Sequence, residues 1–415
     1  MIELDDEEEE RDSPFNAYRF AASQNTKAIV QESIGLLLNC EAHFGLRTNK
    51  RRNRDQETFD LTVDAVLSDL MHHHVAEHPG DIYVTRSNRV LGTKSRYRPE
   101  MAYVEQQIAA PVEGAPRATV IRPGPRLLDR MAEHRVGTDD LDEHSHGETI
   151  VLKRVKDRED YWDEGGLEEY DDTPDTERHR AELDEINHWI ANADLRFDSE
   201  GLPWPRTQFS IRDRRLRRIF TQSRFDSGGR LFGGFWQSLR KHERRQGLWI
   251  SGERAVELDY GQVGPRILYG MAGCKPPYQD LYDIWGYGLN RPGIKKVMSA
   301  MIFASDTLNR FPKGTRRLFS RSYKVGDVVE AIEAKHPLIR NHFHRGLGHD
   351  AQFIESQIMI EVLLTLKGRG VVALPIHDAV IVPVSAVSIA KGVMLDTFHR
   401  HAHVEGTVTE EAFRE

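Results

Sequence analysis

Two aspartates differ from the other acids of the chain in what surrounds them. Asp259 closes an apolar run in VELDYGQVGPRILYGMAG (Val256 to Gly273), and Asp378 sits between two β-branched runs in VVALPIHDAVIVPVS (Val371 to Ser385). An acid at the tip of a strand can meet a second acid across the lip of one sheet. Two carboxylates so placed can hold a pair of magnesium ions about 3.5–4 Å apart, one activating an attacking hydroxyl and the other stabilising the leaving oxygen of a phosphoryl transfer. Magnesium suits such a pair because it takes one or two protein carboxylates and completes its shell with phosphate and water. Asp259 and Asp378 are therefore the expected metal ligands, with manganese as the alternative ion. Each acid alone has a plainer reading as a turn or cap residue, since aspartate favours turns.

A third segment, NRPGIKKVMSAMIFAS, adds cations. Pro292 falls in the first turn of a helix, where its missing N–H costs little, and Asn290 or Arg291 is the expected cap. Arg291, Lys295, Ser299 and Phe303 recur every four residues and so line one helix face. Two cations one turn apart, followed by a small residue and a ring, form a surface on which a triphosphate, its sugar and its base can lie. The plainer alternative is a surface helix with scattered basic residues and a buried Phe. A fourth stretch, Ile211 to Gln246, holds eleven Lys/Arg against three Asp/Glu, interleaved with Phe220, Phe225, Phe232, Phe235 and Trp236. That mixture fits a groove that tracks a nucleic-acid backbone and stacks rings on bases. It fits equally a basic surface whose rings are core.

The elements that must position these residues follow from local pattern. Leu248 to Ile250 and Ala255 to Leu258 read as strands joined by the turn Ser251-Gly252-Glu253, and RILYGMAG begins a helix after Asp259. The apolar runs around His377 and Asp378 are broken by only two residues, the spacing of a β-hairpin whose turn carries the acid. Earlier in the chain, NTKAIVQESIGLLLNCEAHFG, ETFDLTVDAVLSDLMHHHV and ERHRAELDEINHWIANAD show helical spacing of apolar residues. DIYVT and ATVIRP read as short extended pieces. His134 to Glu148 reads as a polar loop. The consecutive His72, His73 and His74 point to different helix faces, so they cannot form one ligand set and are expected at a solvated helix end.

Composition excludes several classes. With 415 residues and 39% hydrophobic content, the chain can fill more than one core. Cys40 and Cys274 lack metal-type spacing, there is no apolar run of membrane length, and MIELDDEEEERDSP lacks the apolar core of a signal peptide. A cytoplasmic, membrane-free protein is expected. The net charge of −8 is unevenly spread, beginning with the acidic block Asp5 to Glu10, which reads as a solvated tail.

The ordered set of motifs resembles family A DNA polymerases. DYGQVGPR resembles their first carboxylate motif, RPGIKKVMSAMIFA their fingers helix, and IHDAVIVP their His-Asp motif, while GGRLFGGFWQSL stands where they carry a template-primer motif. Single-subunit phage RNA polymerases share the palm and these motifs. The resemblance covers roughly residues 205 to 400. It implies an α+β fold: a right-hand polymerase palm on an antiparallel sheet, reduced helical fingers, and a helical N-terminal thumb or accessory region. The expected parts are a tail (1–14), the N-terminal region (15–200), and palm with fingers (201–415). It further implies Asp259 and Asp378 as the metal-binding pair and Arg291 and Lys295 as triphosphate ligands, with Lys295 also an acid toward pyrophosphate. Tyr260, Gly264, Ser299 and Phe303 are expected around the nucleotide. His377, Gln262, Arg230, Arg224 and Arg240 are expected against primer or template, so DNA and nucleoside triphosphates are the expected partners.

Departures from the family pattern are informative. Gly264 replaces a glutamate that shields against a ribose 2′-OH, and Phe303 replaces a tyrosine; together they predict relaxed choice between dNTPs and NTPs. Ala379 replaces a second acid, and the short stretch from Asp259 to Asp378 predicts trimmed fingers. Residues 1–200 carry no acid set matching a proofreading exonuclease. RNA or primer synthesis is the first alternative. A metal-dependent nuclease on the same acids, or a non-catalytic nucleic-acid-binding module, are the others.

Overall fold

In the computed structural model the described residues are 13–16, 18–47, 50–76, 82–84, 109–111, 119–143, 148–155, 166–198, 211, 213–284 and 290–411. The chain divides into two compact units: Met1–Glu148 with Gly201–Arg215 and Gly234–Arg240, and Thr149–Glu200 with Leu216–Gly233 and Lys241–Glu415. Residues 149–200, grouped with the N-terminal region in the sequence reading, thus cluster with the second unit. No helix among the described residues is long and apolar enough to cross a membrane.

The first unit is built on the helices Gln24–Phe44 and Asn53–Val75. Ser23 caps the first by accepting the Thr26 N–H at 3.2 Å, and Gly45, at φ 61°, ends it. Ile29, Leu37, Phe59, Val63 and Leu70 fill the core between them. The second half of Asn53–Val75 is covered on almost every side, which changes the expected role of the histidines. His74 is exposed, but His72 is buried, with Nε2 3.0 Å from Asp213. Asp213 also meets Arg19, which in turn bonds Asp69 at 3.1 Å. The expected polar loop holds a strand: Leu141–Glu143 pairs antiparallel with Arg19–Ala21.

The second unit holds a six-stranded sheet in the order Leu374–Ile376, Ala379–Pro383, Glu253–Tyr260, Leu248–Ile250, Leu195–Phe197, with Val408–Glu411 also paired to Glu253–Tyr260. All these pairings are antiparallel. This is the α+β arrangement expected. The central strand Glu253–Tyr260 is buried continuously from Ala255 to Leu258, because helix Lys241–Gly247 packs on one side of it and helix Val387–Ala402 on the other. The hairpin register Ile376↔Ala379 leaves His377 and Asp378 alone in the turn. His377 takes φ 50°, a left-handed conformation in which histidine is enriched.

A second, three-stranded sheet places Arg217–Phe220 parallel to Ile150–Leu152 and antiparallel to Gly228–Phe232. It packs on the long helix Gly348–Gly368. Arg218 is fully buried there and donates to Gly229 O, Ser356 Oγ and Gln357 Oε1. Gly229, at φ 82°, must be glycine: a Cβ would lie 2.7 Å from Ser356 Oγ. The rings of the basic stretch are mostly core. Phe220, Phe235 and Trp236 are buried, and Phe232 is exposed. Strand alternation turns Phe220 inward, whereas Phe235 and Trp236 are neighbours in the short helix Phe235–Ser238 and both are buried, which composition alone does not reveal.

Candidate active site

Asp259 is the penultimate residue of the central strand, paired in register with Ala379. The next N–H, of Tyr260, donates to the Asp378 carbonyl at 3.1 Å. The hairpin turn is thereby stitched to the strand end, and the two acids come together on one sheet lip. On the other edge Thr409 Oγ1 donates to the Asp259 carbonyl at 3.3 Å.

The electrostatics follow from this placement. Partial burial, and then the neighbouring Asp378 charge, push the Asp259 carboxyl up to about 7. Lys241 and Lys295 act in the opposite sense without cancelling the rise. Glu257, two residues earlier on the same strand face, is buried and held by Arg244 Nε and Nη2 at 3.2 Å, with Lys241 at 4.0 Å. Glu257, Arg244 and Lys241 were not anticipated. Period-two spacing from Asp259 could have indicated Glu257.

The cationic helix runs Arg291–Phe303 with Asn290 as its cap. Arg291, Lys295, Ser299 and Phe303 are all exposed, while Ile294, Val297, Met298 and Met301 are buried. The expected stripe is therefore real, and Phe303 belongs to it rather than to the core. Lys295 acts electrostatically on Asp259, so this face lies within charge range of the acid pair. Arg291 is already engaged: it holds Asp280 in a two-pronged pair at 2.6 and 3.1 Å and lies 5.3 Å over the Tyr282 ring. Asp378 in turn acts on Tyr282, whose hydroxyl burial pushes above its ordinary range.

The loop bearing Asp280 and Tyr282 is fixed by Gln262 and Arg266. Gln262, at φ 61°, accepts the Leu281 N–H at 2.7 Å and donates to Gln279 O at 3.2 Å. Arg266 donates to Gln279 O and Glu405 O. The Gln262 side chain thus ties the loop to the start of helix Val263–Met271. Gly264 lies against the cationic helix: a Cβ there would stand 3.3 Å from Ile302 Cδ1. Phe303 packs edge-on to His349, with centroids 5.2 Å apart, and a Cβ at Gly348 would strike its ring at 2.3 Å.

Behind the hairpin, Arg230 forms a two-pronged pair with Glu355 at 2.6 and 2.9 Å. Arg230, Glu355 and His377 all lie within electrostatic reach of Asp378. Partial desolvation, and then the Arg230 charge, hold the His377 imidazole below the ordinary histidine range. The Phe232 ring stands 5.7 Å from that imidazole, edge to face.

Of the remaining expected residues, one side chain is turned away from Asp259. Tyr260 faces the opposite side of the strand from Asp259. Its hydroxyl donates to Met394 O at 2.5 Å and its ring packs on Phe398, so its side chain belongs to the core. Arg224 is exposed and bonded to Asp226 and Asp350, both at 2.7 Å. Arg240 is exposed and belongs to the first unit.

Among the described residues no cluster of three or more His, Cys, Asp or Glu is arranged to hold a metal. The acid pair offers two carboxylates. Burial of Asp259, and then the Asp378 charge beside it, favour a proton on Asp259 near neutral pH in the absence of a compensating cation, which fits a hard divalent ion that keeps most of its shell as water or phosphate.

No family model and no curated protein matches the chain. Among solved structures the chain is similar to the POL domain of Pol1 from M. smegmatis, determined in complex with DNA primer-template and dNTP. The identity is 11%, the match covers 86% of this chain and 69% of that one, and the TM-score is 0.28.

Proposed function

We propose that the chain is a template-directed nucleotidyltransferase that extends a nucleic-acid 3′ end. The observation that carries this reading is the meeting of Asp259 and Asp378 on one sheet lip, within electrostatic reach of Lys295 on the exposed cationic face. A phosphodiesterase needs the two acids; it has no use for a cationic stripe long enough to carry a triphosphate and a base.

Asp259 and Asp378 are the residues that would hold divalent ions, magnesium or manganese, and such ions would supply Lewis-acid activation and charge neutralisation for phosphoryl transfer. Arg291 and Lys295 bind the triphosphate. The hydroxyl oxygen bonds to the α-phosphorus as the bond to pyrophosphate breaks; in this reading Lys295 donates a proton to the departing oxygen, and the hydroxyl proton passes to water. His377 and Arg230, braced by Glu355, support the primer end. The resemblance in motifs to family A polymerases favours DNA as product.

Relaxed sugar choice belongs to the same reading. The position of Gly264 carries no side chain to oppose a 2′-OH, and Phe303 offers no hydroxyl to sense one. The 3.3 Å approach to Ile302 shows a second reason for glycine at 264, close packing of two helices. Primer extension on templates of each base tests the function: each templating base is expected to direct its complement, and incorporation that ignores the template would contradict it. Running dNTPs and NTPs in parallel tests the sugar choice, which a strong dNTP preference overturns.

A further inference from the structure

A buried histidine stands behind the loop that holds Arg291. His336 caps the end of helix Val325–Lys335, which packs on the cationic helix, and it is fully buried together with Leu281 and Tyr269. Its two ring nitrogens have different partners: Nε2 lies 2.8 Å from the Leu281 carbonyl oxygen, and Nδ1 lies 2.9 Å from the Tyr269 hydroxyl. A carbonyl oxygen can only accept, so Nε2–H donates there and Nδ1 accepts from the tyrosine O–H. That arrangement needs the neutral imidazole, and burial favours it by holding His336 below the ordinary histidine range.

The relay ends on the backbone that aims Asp280. Leu281 is gripped by both of its peptide groups, its N–H donating to Gln262 Oε1 at 2.7 Å and its carbonyl accepting from His336. The approach to the loop is held at the same helix end, where Lys335 Nζ lies 3.9 Å over the Tyr278 ring. Asp280 is thereby fixed between two tethered neighbours. Its Oδ1 accepts the Tyr282 N–H at 3.0 Å, and both its oxygens accept from Arg291. Both members of that ion pair are more than a third exposed, and a pair so placed contributes little by itself, because water screens it and two side chains must be ordered. It persists where the backbone beneath has already placed one partner, which lowers the ordering cost. The buried hydrogen bonds to Leu281 do this for Asp280.

We propose that Tyr269 and His336 are positioning residues that maintain a latch: through the Leu281 carbonyl they fix Asp280 against Arg291, and this contact withholds Arg291 from a triphosphate until it is displaced. The hold on Arg291 exists whatever that residue binds; its effect on nucleotide affinity rests on the transfer reaction proposed above.

Two substitutions of His336 separate its link to Leu281 from its link to Tyr269. In His336→Gln an amide nitrogen can stand where Nε2 stood and donate to the Leu281 carbonyl, whereas the shorter amide of His336→Asn reaches only the position of Nδ1. The full chain without nucleotide is treated with phenylglyoxal, which modifies accessible guanidinium groups, and the rate at Arg291 is read by peptide mass spectrometry. That rate is expected to rise about two- to tenfold in His336→Asn, the range that one net hydrogen bond spans, and to stay parental in His336→Gln. In primer extension the KM for nucleotide is expected to fall by a similar factor in His336→Asn at nearly constant kcat; general damage to the fold raises KM or lowers kcat instead. An unchanged Arg291 rate in His336→Asn, an equal rise in both variants, or a faster rate with a KM that does not fall overturns the latch. Should the His336 variants fail to fold, Tyr269→Phe, which removes one hydroxyl, is read by the same two measurements with the same directions expected. A parent chain that transfers no nucleotide refutes the function proposed above, and the Arg291 rates alone then decide the latch.

Discussion

Asp259 makes the fold weaker as the solution becomes more alkaline. Its carboxyl, raised to about 7 when folded, binds more protons folded than unfolded between about pH 4 and pH 7. Its contribution to stability is therefore greatest at low pH, falls through that window and stays lost above it. Asp259→Asn is expected to match the parent's stability near pH 4 and to exceed it near pH 8, by on the order of 1–2 kcal/mol once solvent screening is allowed for. Thermal melts at the two values check this; an equal difference at both would contradict it. Magnesium is expected to raise the melting temperature of the parent at pH 8 and to leave that of Asp259→Asn nearly unchanged, since only the intact pair gains from binding. A third outcome concerns Arg291, which Asp280 already neutralises. If the triphosphate must displace Asp280, Asp280→Asn lowers the KM for nucleotide several-fold with little change in kcat, whereas Arg291→Gln raises it. Such residues mark the limit of what the chain discloses. Asp259, Asp378 and the cationic stripe were legible from local pattern, but Asp280 and Glu355 were not, because each acquires its role from an arginine brought near by folding.

At the scale of elements, close approaches decide where the site residues stand. A Cβ on Gly270, in helix Val263–Met271, would lie 1.8 Å from the Ala402 carbonyl oxygen. Gly270→Ala must push apart helix Val263–Met271 and helix Val387–Ala402. It is expected to cost about 1–3 kcal/mol, read from denaturant midpoints, and a neutral result would show that this contact does not hold the layer. The hairpin, the helices Gln24–Phe44 and Asn53–Val75 and the start of the cationic helix at Arg291 were readable from periodicity, turn length and Pro292. What periodicity missed was long-range pairing. Leu141–Glu143 is a strand only because Arg19–Ala21 lies beside it, and Tyr260 turned inward because the strand alternates while the motif around it does not.

For the whole molecule, composition gave size and the absence of an apolar run of membrane length, but not the division of the chain. Each unit is assembled from separated stretches, and Thr149–Glu200 joins the unit of Lys241–Glu415 through the antiparallel pair of Leu195–Phe197 with Leu248–Ile250, and joins Leu216–Gly233 through the parallel pair of Ile150–Leu152 with Arg217–Phe220. The unit that carries the acid pair also carries the cationic helix and Arg230, so binding and chemistry are proposed for one body. The most direct test is extension of a labelled primer on a template with magnesium and nucleotides, run for the parent, Asp259→Asn and Asp378→Asn. The account predicts extension by the parent and loss of it to background in both variants. Equal extension by either variant would contradict it.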